Sequence, residues 1–290
     1  MANTLAPETQ ALTLRRGDLE FDALAAGPAD GPLVLFLHGF PEFATCWRRH
    51  LVAAARAGYR AVAVDQRGYS PGARPLDEAD YTMPELVADV ATFADGLGAE
   101  RFHLVGHDWG GAVAWEAAAR HADRVASLAV LSTPHPAALS AALSSSPEQR
   151  EAMSYFRLFQ TPGAAEEALL DNGAAGLVGA FQGRVPEDLV EDNVRRLSQA
   201  GALTAALNWY RALRLESGSP GAPAVGAPTL YVWGSEDMSF TAGPARATGD
   251  WVAAPYRYIE LEGFSHWLPE EAPEETIPPL LDHLAAAEEG

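Results

Sequence analysis

The chain has no lysine: its 20 basic side chains are all arginines, set against 39 acidic ones, for a formal net charge of −19. It lacks the basic footprint of a nucleic-acid binder, whose cations must displace condensed counterions from phosphate. The same shortage argues against an anionic membrane surface as partner. The acidity reads as a solvated surface. Cys46 is the single cysteine, which excludes an intrachain disulfide and a thiolate metal cluster. No uninterrupted apolar stretch approaches the roughly 20 residues needed to cross a bilayer. Residues 1–10 carry no basic patch leading into an apolar run of the secretory kind. Together these absences predict a soluble cytoplasmic protein and leave its oligomeric state open.

What is present is an ordinary globular balance: 290 residues, 48% hydrophobic and 20% charged. That is enough for one large α/β domain, or a core with a modest insertion. Continuous apolar runs at residues 33–37, 60–64, 102–105, 125–131, 229–233 and 256–261 read as strands buried on both faces. Alanine-rich stretches at 47–57, 83–96 and 111–121 read as helices between them. Alternation of this kind predicts a mostly parallel, doubly wound sheet with helices on both faces. Weaker runs at 12–15 and 19–24 look like an antiparallel hairpin at its edge. The alternation stops after Leu131-Ser132-Thr133-Pro134, and the chain turns helical and glutamate-rich. A Gly/Ser/Pro stretch at 217–223 then leads back to a strand. The division expected is a first core segment over 1–136, a helical cap over 137–224 and a second core segment over 225–290.

Gly106-His107-Asp108-Trp109-Gly110-Gly111 follows a short strand and opens an alanine-rich helix. Small residues around the centre permit the sharp strand-to-helix turn that exposes a nucleophile. Serine is the usual centre of such a turn; here it is aspartate. A serine that displaces a leaving group from an sp³ carbon forms an ether, which water does not readily cleave. A carboxylate forms an ester, which can be hydrolysed at its carbonyl. Asp108 therefore points to an epoxide carbon or a carbon bearing halide. The plainer alternative is that Asp108 caps the following helix.

Ester hydrolysis needs a base near neutral pH, which suits histidine. Of eight histidines, His266 is best placed, in Gly263-Phe264-Ser265-His266-Trp267 directly after the last strand. His103 and His107 flank a strand end rather than share a helical face, and no metal site is expected there. His50, His121 and His283 fall in predicted helices and are expected at the surface or partly buried. His135 lies beside the cap junction without an assigned role. Gly234-Ser235-Glu236-Asp237 offers an acid to orient the base, with Asp237 preferred over Glu236. The order nucleophile, acid, histidine matches the hydrolase pattern. The loop His38-Gly39-Phe40-Pro41 follows the first long strand. Main-chain N–H groups of Phe40 and Trp109 are expected to hold the oxyanion, with His38, Pro41 and Trp109 contacting substrate.

These motifs together resemble the epoxide hydrolases of the α/β-hydrolase superfamily over nearly the whole chain. His38 to Glu42, Asp65-Gln66-Arg67-Gly68-Tyr69, the turn around Asp108 and Gly234 to Asp237 carry the likeness. The resemblance implies an eight-stranded α/β-hydrolase sheet with an inserted cap, and two cap tyrosines that donate hydrogen bonds to the epoxide oxygen. Tyr155, in Tyr155-Phe156-Arg157-Leu158-Phe159, looks like the first, and Tyr210, in Asn208-Trp209-Tyr210-Arg211, like the second. A phenol suits the task, because ring opening leaves a strongly basic alkoxide that needs a proton. The implied reaction takes a small-molecule epoxide and water to a vicinal diol, with no metal or organic cofactor. Ser70 and Ser265 depart from the family pattern, which often has glycine at both places.

Three other readings share parts of this pattern. Haloalkane dehalogenases also use an aspartate followed by tryptophan, but typically place asparagine where Phe40 stands. Fluoroacetate dehalogenases usually carry arginine at the position of Trp109. A non-catalytic ligand-binding homologue would be marked by loss of a reacting residue, and none is missing here.

Overall fold

The computed structural model describes residues 9–213 and 222–289. Eight strands form one sheet: β1 (Gln10–Arg16), β2 (Leu19–Ala26), β3 (Leu33–Leu37), β4 (Arg60–Val64), β5 (Phe102–His107), β6 (Val125–Leu131), β7 (Thr229–Gly234) and β8 (Tyr256–Leu261). Their order is β1-β2-β4-β3-β5-β6-β7-β8. The β1–β2 hairpin turns at Gly17, in the left-handed region at φ 58°, and joins β4 antiparallel. Every later pairing is parallel. This is the mostly parallel sheet expected, with the hairpin at its edge.

The continuous apolar runs follow from covering both faces of a parallel sheet. Alternate residues point to opposite sides. Leu35, Leu37, Val62, Val64, Leu104 and Val130 face a layer built by α2 (Met83–Gly96) and α3 (Trp109–Arg120). Val34, Phe36, Ala61, Ala63, Val105 and Val232 face α1 (Arg48–Arg56) and the last helix, Pro273–Glu288. His50 corrects its expected surface position: it is 1% exposed, on the apolar face of α1 with Leu51 and Ala54, and bonds Thr276 Oγ1 at 3.0 Å. His121 and His283 are partly buried.

After β6 the chain leaves the sheet for α4 (Pro136–Ser145), α5 (Pro147–Ala152), α6 (Phe156–Phe159), α7 (Ala164–Ala180), α8 (Glu187–Leu197) and α9 (Ala202–Ala212), returning at β7. The polar return stretch falls partly on residues 217–221, outside the described residues. Trp209 of α9 donates its indole N–H to Arg67 O at 2.8 Å, and Arg196 of α8 pairs with Asp65. Both contacts tie the insertion to the segment that follows β4. Short helices at Ala242–Ala247 and Leu268–Glu271 follow β7 and β8. Among the described residues no helix is long and apolar enough to cross a membrane.

Behind that segment Arg67 donates two bonds of 2.8 Å to Asp89 of α2, and both residues are only 3% exposed. Removing one partner strands a buried charge. Asp89→Ala is therefore expected to lower stability by about 3–5 kcal/mol, read as a drop in the denaturant midpoint. The double variant Arg67→Met/Asp89→Leu should recover most of that loss; if it is no more stable than Asp89→Ala, the stranded-charge account fails.

Candidate active site

β5 ends at His107, and Asp108 turns the chain into α3 with φ 49° and ψ −120°. A carboxylate residue holds this left-handed backbone only because its surroundings enforce it. A Cβ on Gly39 would come within 2.2 Å of the Asp108 Cβ, and one on Gly110 within 2.2 Å of Leu37 O. The turn thus needs bare backbone on both sides. Asp108 occupies the N-cap position but makes no side-chain cap bond. Its Oδ1 instead accepts the Phe40 N–H at 2.7 Å, so the carboxylate is aimed at the oxyanion loop rather than at its own helix.

His266, on the loop after β8, places Nε2 3.5 Å from Asp108 Oδ2, while its Nδ1–H donates to Asp237 Oδ2 at 2.9 Å. Asp237 is locked from its other side: Oδ1 accepts the N–H groups of Ser239 at 2.8 Å and Phe240 at 3.0 Å. Glu236 points away and pairs with Arg184 at the surface. Burial works against the imidazolium, but Asp237 and Asp108 outweigh it and raise the His266 pKa to about 10. Burial alone would raise the Asp108 carboxyl; the hydrogen bond and charge of His266 pull it below the usual carboxylate value. The resting pair is therefore imidazolium and carboxylate.

A cavity of about 600 Å³ opens at Asp108 and is lined there by Trp109, Met153, Tyr155, Phe156 and Phe240. It continues along α3 past Ala112, Glu116 and Arg120, an i, i+4 stripe from Asp108 outward. Tyr155 lies 3.4 Å from Ser239 Oγ through its hydroxyl. The Tyr210 ring meets Trp109 edge-on at 5.0 Å and Phe40 at 5.5 Å, and the two tyrosine rings are 6.4 Å apart. Burial, then the charge of Asp108, push both phenols up, so each keeps its proton.

The structure brings Asp108, Asp237, His266, Tyr155, Tyr210, Phe40 and Trp109 together. It does not do so for His38. That ring is fully enclosed, edge-on to Tyr69 at 4.5 Å, with Nδ1 on Gly39 O at 2.8 Å and Nε2 accepting the Gln66 N–H at 3.1 Å. Both nitrogens are committed to main-chain partners, so His38 braces the loop after β3. Pro41 is likewise buried and absent from the lining of the cavity. Ser70 Oγ donates to Asp65 O at 2.6 Å, and the Ser265 N–H donates to Glu271 Oε2 at 2.9 Å, so both departures from glycine have local partners. His135 caps α4, accepting the Ala137 N–H at 3.2 Å, and stacks on Trp251.

Four residues at the site went unassigned in the sequence. The Phe240 ring lies tilted to His266 at 5.7 Å; Ser132 donates to His266 O at 2.7 Å; His107 and Glu42 lie behind His266. Only Glu42 and His107 had a signal, each adjoining an assigned motif.

Residues 32–273 match the model of a family described as alpha/beta hydrolase fold, which sets the class of the protein. Epoxide hydrolase 3 of Xenopus tropicalis is 36% identical, over 94% of this chain and 77% of its own length. Epoxide hydrolase A of Mycobacterium tuberculosis is 32% identical over 91% and 93%. Among solved structures, epoxide hydrolase A from Mycobacterium thermoresistibile superposes with a TM-score of 0.84 at 27% identity, over 96% of this chain and 98% of that one. The chain belongs to the epoxide hydrolase family of the α/β hydrolases.

Proposed function

We propose that the chain hydrolyses a small-molecule epoxide to a vicinal diol through an ester on Asp108. The observation that carries this reading is an aspartate at the strand-to-helix turn, with a histidine–aspartate pair on one side and two protonated phenols on the other, Tyr155 in the cavity wall and Tyr210 packed against Trp109 and Phe40. In this reading the helices between β6 and β7 are a cap, residues 137–224, over a core formed by 1–136 and 225–290. The enzyme is cytoplasmic and uses no metal or organic cofactor.

The two Asp108 oxygens take different roles. Oδ1 is held by the Phe40 amide, leaving Oδ2 to attack the epoxide carbon. The carboxylate also sits at the positive end of the α3 dipole, which keeps it ionised. As the C–O bond breaks, Tyr155 and Tyr210 donate hydrogen bonds to the leaving oxygen, and one phenol yields its proton. Once the ester forms, Asp108 carries no charge, and one of the two carboxylates that raise the His266 pKa is gone. The ring can then give up its proton and act as base. Water attacks the ester carbon, Oδ1 becomes the oxyanion between the Phe40 and Trp109 amides, and collapse releases the diol. Over the cycle water supplies one hydroxyl proton and restores the phenol.

The test compares diol formation from aryl, alkyl and cyclic epoxides by wild type, Tyr155→Phe, Tyr210→Phe and the double variant, with haloalkanes as controls. General-acid loss predicts a fall of about 10²-fold for each single change and about 10⁴-fold for both. Halide release that all four proteins share, without diol, would assign the chain to dehalogenation instead.

A further inference from the structure

Behind His266 lie carboxyl groups that the reaction above does not use. Glu42, on the loop after β3, is fully enclosed, and Glu270 follows His266 by four residues. A carboxyl oxygen of each and the thiol of Cys46 lie within 4.8 Å of one another. Glu42 Oε2 is 3.0 Å from His107 Nδ1, and His107 Nε2 is 2.8 Å from the main-chain oxygen of His266. Glu42 Oε1 and both Glu270 oxygens are shut off from solvent and have no hydrogen-bond donor among the described residues.

The geometry points to a pair of carboxylic acids, Glu42 and Glu270, that stay protonated and fix the tautomer of His107, which in turn positions the base His266.

The chain of donors follows from the acceptor at its end. A carbonyl oxygen only accepts, so His107 Nε2 must carry a hydrogen. A second proton on Nδ1 would set an imidazolium against His266, whose ring centroid is 4.8 Å away and which already carries the charge of the site. Burial, then that neighbouring charge, push His107 down to about 4, so its ring is neutral. Nδ1 is then a bare acceptor, and the hydrogen between it and Glu42 belongs to Glu42 Oε2. A carboxyl oxygen of Glu42 lies within 4.8 Å of one of Glu270, and two buried carboxylates with no donor between them would repel; a proton on Glu270 turns that contact into a hydrogen bond. Burial raises both carboxyls; the neighbouring Glu42 pushes Glu270 up further, while the hydrogen bond from Glu270 pulls Glu42 the other way, as expected if Glu270 is the donor of that contact. The ionisable groups that face the cluster are Cys46, His50, Asp65, Asp108, His107 and His266.

The end of the chain is the main-chain oxygen of His266, which accepts from both His107 and Ser132. Two donors fix that peptide and hold Nε2 over Asp108. Loss of the acid proton in alkaline solution removes the Nδ1 partner of His107, and its contact with His266 is lost with it. Glu42, Glu270 and His107 are thus positioning residues. This inference rests on His266 being the base of ester hydrolysis.

Nitrogen-15 NMR of the histidines in the full chain reads the tautomer without reference to turnover, and kcat against pH reads its consequence. Wild type is expected to show His107 protonated on Nε2 alone at neutral pH, and to lose that signature in alkaline solution together with kcat. Glu42→Gln offers Nδ1 an amide N–H that does not titrate, so the tautomer and kcat should both lose their alkaline change. Glu270→Gln, which still donates to Glu42, should keep the neutral-pH tautomer. A His107 that is Nδ1–H or doubly protonated in neutral wild type overturns the inference. An unchanged alkaline limb in Glu42→Gln, or a stoichiometric divalent cation in place of the protons, also overturns it. Absence of diol from every epoxide, with the tautomer as expected, would sink the proposed function and leave the acid pair standing.

Discussion

Asp108→Ala is expected to abolish diol formation, with kcat/KM falling by at least about 10⁴-fold. Among the described residues no other carboxylate lines the cavity beside Asp108; Glu116 lies two helical turns further along α3. The variant keeps the phenols and the base, so any surviving diol would mean that water attacks the epoxide directly and would sink the covalent mechanism. A single turnover in oxygen-18 water adds a positive signature. The label should enter the Asp108 carboxylate first and reach the diol only in later turnovers. Label in the diol on the first turnover contradicts the ester. Folding should survive the change, because the carboxylate is not capping α3, and circular dichroism would check this.

The second large effect concerns the base. His266→Gln should still form the ester and then stop, with turnover reduced by about 10³–10⁴-fold. Mass spectrometry would then find one equivalent of substrate on the peptide that contains Asp108. An unmodified, inactive variant would mean that His266 is needed to open the ring. The pH dependence follows from the two carboxylates that hold His266 at about 10 in the resting enzyme. A raised pKa means the ring is cationic below it and basic above it. Ester hydrolysis needs the basic form, so its rate should rise with pH through the pKa of the ester intermediate, which lies lower because Asp108 is then uncharged. Asp108→Asn imitates that loss of charge. NMR should place its His266 clearly below 10, and an unshifted value would remove the self-activation argument.

The sheet was legible because each parallel strand is covered on both faces and must be apolar along its length, as Leu33–Leu37 and Val125–Leu131 are. The three residues that meet at the site were legible because the proposed chemistry restricts residue type in each loop: an aspartate between small residues at 108, an acid after β7, a histidine after β8. Their supports were not. Glu42 and Glu270 meet only because β3 sits at the middle of the sheet and the loop after β8 reaches back to it, and no period or spacing connects positions so far apart. His38 looked like a substrate contact because it adjoins Phe40, yet its ring points the other way, into the Tyr69 and Phe43 cluster. His50 could have been placed inside. It shares an i, i+3, i+4 face with Trp47, Leu51 and Ala54, and that pattern outweighs the usual polarity of histidine.

The strand order also sets when the molecule becomes competent. Leu128 pairs with Thr229 across the whole helical insertion, so β7 and β8 close onto a sheet whose other strands have long been synthesised. Asp108 and the Phe40 loop belong to that earlier part, while Asp237 and His266 arrive with the final strands. Such distant pairings carry the loop-closure cost that slows folding. Pairing of the last two strands therefore both completes the sheet and brings the Asp237–His266 pair against Asp108.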